Sequence, residues 1–162
     1  MTAPSLAADA AALLERAGCA VHYTAPYPAG GAVAALTGAV QAHAIISRQG
    51  KVTAAAMDAS ARLRIVARHG VGVDDVDVAA AAARGIVVTR TPGANASQVA
   101  EHALAMILAL VKDFPTWREA LASGGWRGAQ GRTRDVAGLR LGLLGCGASG
   151  RETARRAAAF GM

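Results

Sequence analysis

From residue 7 to about 90 the apolar positions switch repeatedly between a helical period and short runs that are apolar throughout. Residues 6–18, LAADAAALLERAG, predict an amphipathic helix closed by Gly18, and residues 30–41, GGAVAALTGAVQ, a weaker one. Residues 53–60, TAAAMDAS, predict a short helix capped by Thr53, and residues 76–85, VDVAAAAARG, a helix ended by Gly85. Between them stand four strand candidates: AVHYT at 20–24, AHAIISR at 42–48, LRIVARH at 63–69 and IVVTRTP at 86–92. Consecutive apolar positions such as Ile45 and Ile46 fit a sheet covered on both faces. This alternation is the pattern of a parallel α/β domain. One element is missing. The opening MTAPSL is too short and weak for a strand, although the first strand of a doubly wound sheet normally lies in its interior.

The character then changes. Residues 95–115, NASQVAEHALAMILALVKDFP, carry the longest helical pattern, with Asn95 and Gln98 resembling a capping pair and Pro115 marking the end. Residues 103–111 are apolar all round, which predicts a helix buried on several sides, between domains or subunits. Residues 116–135, with Trp117, Trp126 and GGWRGAQGR, read as a Gly-rich connector, and LRLGLLG at 139–145 as a buried strand that opens a second domain.

Composition narrows the picture. The 162 residues are 53% hydrophobic but only 4% aromatic, with 19 glycines, which suits tightly packed α/β layers. The longest apolar run, 103–111, is far below the ~20 residues that span a bilayer. The N-terminus carries Asp9 and Glu15 and has no basic region ahead of an apolar core, so it does not read as a secretory signal. Cys19 and Cys146 are isolated, without metal-ligand spacing, so a reduced cytoplasmic setting and no metal are expected. A net charge of +6 invites a nucleic-acid partner. However, Arg16, Arg48, Arg62, Arg84, Arg90, Arg118 and Arg140 are scattered singly, without interleaved aromatic rings, so a solvated basic surface is the expectation, with neither nucleic acid nor membrane as partner.

Two stretches carry chemistry. Gly145, Gly147 and Gly150 form a G-x-G-x-x-G fingerprint between a predicted strand and the helix candidate RETARRAAAF. In this motif the first glycine permits the turn, the second lets backbone approach a pyrophosphate, and the third allows close helix–strand packing. The helix start, including Ala148 and Ser149, then offers amides and dipole to phosphate. Alone the motif is weak; its strand–turn–helix context gives it weight. The acidic residue that binds the adenosine ribose belongs about 20 residues further on, whereas twelve residues follow Gly150. NAD and NADP are therefore both open, with NAD favoured. The second stretch is HGVGVDDVD at 69–77. Small residues at Gly70, Val71 and Gly72 let main-chain donors approach an anion; alternatively, the turn serves only to place Asp74 and Asp75 as helix caps.

Taken together, HGVGVDDVD, RGIVVTRTPGANASQVAEHALA and LGLLGCGASGRETARRAAAFGM resemble the D-isomer-specific 2-hydroxyacid dehydrogenases, in family order and spacing. The resemblance is strong over 42–162 and loose over the first 41 residues. It implies that Gly70, Val71 and Gly72 bind the substrate carboxylate beside the nicotinamide, with Val71 also touching the cofactor. It nominates Arg48 near the substrate, with a surface arginine at a strand end as the alternative. The family's catalytic arginine, glutamate and histidine lie beyond the fingerprint, so no catalytic residue is assigned, and His22, His43, His69 and His102 read as structural or exposed. The sequence departs from the family at Ala148 and Ser149, where many relatives have Arg-Ile. Ser149 is a candidate hydrogen-bond donor to phosphate, and Arg151 the candidate substitute for the lost charge. Arg90 stands where Asn is common before Thr-Pro.

The resemblance implies an α/β fold: a flavodoxin-like parallel-sheet substrate domain, N-terminal part, over 1–96, an interdomain helix and connector arm over 97–135, and the first strand–turn–helix of a Rossmann NAD(P)-binding domain over 136–162. The expected function is that of a truncated oxidoreductase whose full-length form transfers hydride between NAD(P) and a small 2-hydroxy or 2-oxo acid, as a homodimer. The alternatives are a non-catalytic, dinucleotide-responsive interaction protein of corepressor type, or an inactive gene fragment.

Overall fold

Three of the apolar runs form a sheet. Strands β1 (Ala44–Ser47), β2 (Ile65–Arg68) and β3 (Val87–Thr89) pair in parallel in the order β1-β2-β3, with Ile45 opposite Val66 and Val66 opposite Val88. The computed structural model describes residues 1–29, 31–125 and 131–162. These divide into two compact units, Met1–Pro92 and Gly93–Met162.

In the first unit, helix α1 (Ala8–Arg16) precedes α2 (Ala32–Ala39), and α3 (Ala54–Asp58) and α4 (Val78–Ala83) are the crossovers between successive strands. The core is Val33, Ile45, Val52, Ala56, Met57, Leu63, Val66, Val76, Ala81 and Ile86. Full burial of an aliphatic side chain of this size contributes about 1.5–3 kcal/mol. Thr53 caps α3 as expected, accepting from the Ala56 N–H at 3.4 Å. Helix α1 buries none of its residues. A cleft of about 580 Å³ opens beside it, lined by Leu14, Cys19, Val33, Leu36 and Ile45 among others, none of them a candidate site residue.

The missing first strand is answered by two residues. The Thr2 N–H donates to Ile46 O at 2.9 Å and Thr2 O accepts from the Gln49 N–H at 2.9 Å, while on the other side the Met1 ammonium donates to His22 O and Met1 O accepts from the Thr24 N–H. Met1 and Thr2 therefore lie between residues 22–24 and β1, in the places of the first two strands of the 2-1-3-4-5 flavodoxin-like order, while the regular sheet has only β1, β2 and β3. Burial in this position pushes the Met1 ammonium pKa down. Residues 20–24, expected as a strand, make only these few bonds and form no regular ladder.

An exposed pair joins the two crossover helices. Arg84, just past α4, donates to both carboxylate oxygens of Asp58 in α3, at 2.6 and 2.8 Å. The Arg84 hydrogen bonds hold the Asp58 carboxyl below its ordinary value of 3.8. A depressed carboxylate stabilises the folded state above the unfolded pKa and loses that contribution as pH falls through the folded one. In urea titrations, Asp58→Asn is expected to lower the unfolding midpoint slightly at pH 7, and the difference from wild type is expected to shrink as acid protonates the Asp58 carboxylate in the folded protein. A difference that persists at acid pH would remove the ion pair as its cause.

The second unit contains α5 (Ala96–Val111), α6 (Phe114–Ala122) and α7 (Ala148–Ala159). Helix α5 packs on α7, with Ala96, Ala100 and Leu104 buried on one and Thr153 and Ala157 on the other. Arg156 of α7 ties the pair, donating to Ser97 Oγ at 2.6 Å and Glu101 Oε1 at 3.2 Å while also pairing with Glu152.

Three expectations change here. Asn95 makes no side-chain cap bond, and its backbone carbonyl accepts from the Val99 N–H instead. Pro115 does not close a single helix: Asp113 adopts a left-handed conformation (φ 54°) and accepts from Thr116 Oγ1 and the Arg132 N–H, so Pro115 sits in the first turn of α6. Within the single chain α7 covers one face of residues 103–111, with Met106 50% and Leu110 77% exposed, so burial on further sides would have to come from a partner. Residues 139–144 form no regular strand and pair with none among the described residues, leaving Leu144 fully exposed. A strand needs a neighbour, and no described segment supplies one. The connector's Trp126 lies outside the described residues.

Candidate functional site

The glycine loop follows β2, at the carboxyl end of the parallel strands, where ligands of open α/β sheets bind. Gly70 has φ +146°, a conformation that L side chains rarely adopt. A side chain at Gly72 would put its Cβ 2.9 Å from Asp74 Oδ2. Gly70 O accepts from Thr91 twice, from the N–H at 2.9 Å and from Oγ1 at 3.1 Å. Because a trans peptide sets N–H opposite to C=O, this bond turns the Val71 N–H away from Thr91. Among the described residues no oxygen accepts from the Val71 or Gly72 N–H. The loop thus has donors to offer an anion. It is not a turn that merely places Asp74 and Asp75 as caps: the residue capping α4 is Asp77, which accepts from the Ala80 N–H at 2.8 Å.

Arg48 follows β1 at the same end of the sheet, and its side chain is exposed. The structure brings its backbone to the glycine loop through a residue that sequence reasoning missed. Arg68, the last residue of β2, donates from Nε to Gly72 O at 2.9 Å and from Nη1 to Arg48 O at 2.9 Å; its Nη2 lies 3.7 Å from Asp75 Oδ2. The available signal was an arginine ending a buried strand, four residues before Gly72. Thr91 was missed as well, read only as part of a strand. His69 also sits at this end, exposed. Among the described residues no carboxylate pairs with any of the four histidines, and no cluster of His, Cys, Asp and Glu could hold a metal ion.

The fingerprint belongs to the second unit. Gly145 has φ +91°, the conformation that only its lack of Cβ permits at this turn. At Gly147 an added Cβ would meet nothing within 4 Å, so the approach to the backbone is open. At Gly150 it would lie 2.7 Å from Gly145 O, so helix and turn pack too closely for a side chain. No side chain caps α7, and the Ala148, Ser149 and Gly150 N–H groups have no acceptor among the described residues. Arg151 folds back, donating to Cys146 O at 3.1 Å. This donor set, with an open face at Gly147, fits a dinucleotide pyrophosphate.

Comparison with known proteins gives the same direction. The family described as D-isomer specific 2-hydroxyacid dehydrogenase, catalytic domain, matches residues 2–160. A hydroxypyruvate reductase of Thermotoga maritima is 42% identical over 112 residues, 69% of this chain and 37% of that protein. A D-3-phosphoglycerate dehydrogenase of Mycobacterium tuberculosis is 41% identical over 110 residues, 68% of this chain and 21% of that protein. Among solved structures, a 2-hydroxyacid dehydrogenase from Ketogulonicigenium vulgare is 32% identical with a TM-score of 0.77, covering 98% of this chain and 50% of that one. The chain thus spans at most about half the length of these relatives. With the family matched almost end to end, the chain belongs to the D-isomer specific 2-hydroxyacid dehydrogenases.

Proposed function

We propose that this chain carries the carboxylate-binding loop and the pyrophosphate-binding turn of an NAD(P)-dependent oxidoreductase acting on small 2-hydroxy or 2-oxo acids, with NAD the favoured cofactor. The observation that carries the reading is the pair of unengaged N–H groups at Val71 and Gly72, set in a loop whose glycines leave room for an anion. They would hold the substrate carboxylate, with Arg48 contributing charge at the same end of the sheet. Gly147, Ala148, Ser149 and Gly150 would hold the pyrophosphate. The nicotinamide, when bound, supplies the hydride; the protein's task is to bind and orient. A cytoplasmic setting belongs to the same reading and is supported by two cysteines, Cys19 and Cys146, that are both free and exposed.

The test is a titration of the isotopically labelled 162-residue protein with glyoxylate, followed through backbone amide signals. Shifts are expected at Gly70, Val71 and Gly72. Saturable shifts elsewhere with none at these three would retire the loop as the carboxylate site.

A homodimer is part of the proposal. Val99, Met106 and Leu110 leave an apolar stripe of α5 facing solvent in the single chain, and Phe114 and Leu121 are exposed on α6. Such a patch marks an interaction surface. Sedimentation at micromolar concentration is expected to give a dimer, and Leu110→Glu a monomer with its helical circular dichroism intact. Wild-type protein that sediments as a monomer would remove this part of the reading.

A further inference from the structure

Arg68 reaches three separate segments at once: the glycine loop through Gly72 O, the turn after β1 through Arg48 O, and the approach to α4 through the Asp75 carboxylate. Nη1 also lies 3.4 Å from both O and Oγ of Ser47, a fully buried residue. The peptide joining Gly72 to Val73 is therefore held at its carbonyl by Arg68, while the peptide joining Gly70 to Val71 is held at its carbonyl by Thr91. Two clamps on alternate peptides leave the intervening amides little freedom. A guanidinium suits this position because its planar fork donates in several fixed directions. An ammonium on a flexible stem has the charge but not the geometry. The side chain is largely covered, whereas the candidate ligand Arg48 is exposed.

We propose that Arg68 is a positioning residue: by holding the carbonyls of Gly72 and Arg48 together it presets the loop for a carboxylate, without itself touching the ligand. The ligand part rests on the function proposed above. Arg68→Lys separates geometry from charge, and Arg68→Met removes both.

Nitrogen-15 relaxation and glyoxylate titration of the 162-residue protein provide the readouts. In wild type, Val71 and Gly72 are expected to be as ordered as the amides of β2, and the Arg68 Nε proton to exchange slowly. In both variants the two loop amides are expected to lose order while β2 and α4 signals stay in place, and glyoxylate to bind about tenfold more weakly. Unchanged loop order in Arg68→Lys overturns the proposal, as does glyoxylate binding by Arg68→Lys at wild-type strength, since charge alone would then suffice. A fast-exchanging Nε proton in wild type overturns it without any variant. A wild-type protein that shows no glyoxylate shifts, but whose loop loses order in Arg68→Lys, would retire the carboxylate site and leave the positioning role standing.

Discussion

Gly147→Val is expected to lower the melting temperature of the protein by no more than a few degrees while weakening pyrophosphate binding at the fingerprint by tenfold or more. The separation follows from local geometry. Gly147 has φ −74° and ψ −159°, extended values that valine adopts without strain, and its missing Cβ faces open space. The fold loses only glycine's advantage over valine at the cap of α7. A ligand approaching the Ala148, Ser149 and Gly150 amides would meet the new isopropyl group. Gly150→Val should behave in the opposite way. Its Cβ would sit 2.7 Å from Gly145 O, a backbone atom that can yield only if the turn opens. Overpacking of this kind costs about 1–3 kcal/mol, so the melting temperature should fall by several degrees. Calorimetric melting and amide shifts with inorganic pyrophosphate measure both. A Gly147→Val protein that binds pyrophosphate like wild type would take the fingerprint out of consideration.

The second large effect is an expected absence of turnover. The 162-residue protein, at verified mass, is expected to oxidise neither NADH nor NADPH with glyoxylate, hydroxypyruvate or pyruvate above a no-protein control. General acid–base catalysis needs a group within hydrogen-bond reach of the transferred proton, tuned and oriented by a partner. His69 is the one histidine beside the glycine loop. It is exposed, and its backbone N–H, bonded to Ser47 O at 2.8 Å, is its only hydrogen bond among the described residues. Binding without turnover is the expected profile. Turnover that disappears in His69→Gln would identify His69 as an unrecognised base and sink this expectation.

Much of the sheet was legible in the sequence. Ile45, Val66 and Val88 lie at the centres of apolar runs bounded by polar and glycine residues, and these runs became β1, β2 and β3. Thr53 was readable as a cap because its bond is local. What was not readable depends on distant partners. The bonds of Met1 and Thr2 reach residues 22–24 and 46–49, and nothing in MTAPSL marks them. Residues 139–144 have the composition of a strand, but composition cannot provide a neighbour. Pro115 is ambiguous by nature, since proline both ends helices and opens them. The glycines of both candidate sites were visible because their requirement is steric and local. Arg68 carried no mark in the sequence until the fold set Gly72 and Arg48 on either side of it.

The unpaired run at 139–144 also has a practical consequence. Irregular backbone without helix or sheet partners, carrying exposed leucines, is readily drawn into an endoprotease cleft, whereas helices must first unwind. A brief digestion should therefore nick the chain near Leu143 and Leu144. The nick would not release α7, because Arg156 holds it to Ser97 and Glu101 of α5 and Ala157 stays packed beneath. The nicked protein should run as two bands on a denaturing gel and as one particle on a sizing column.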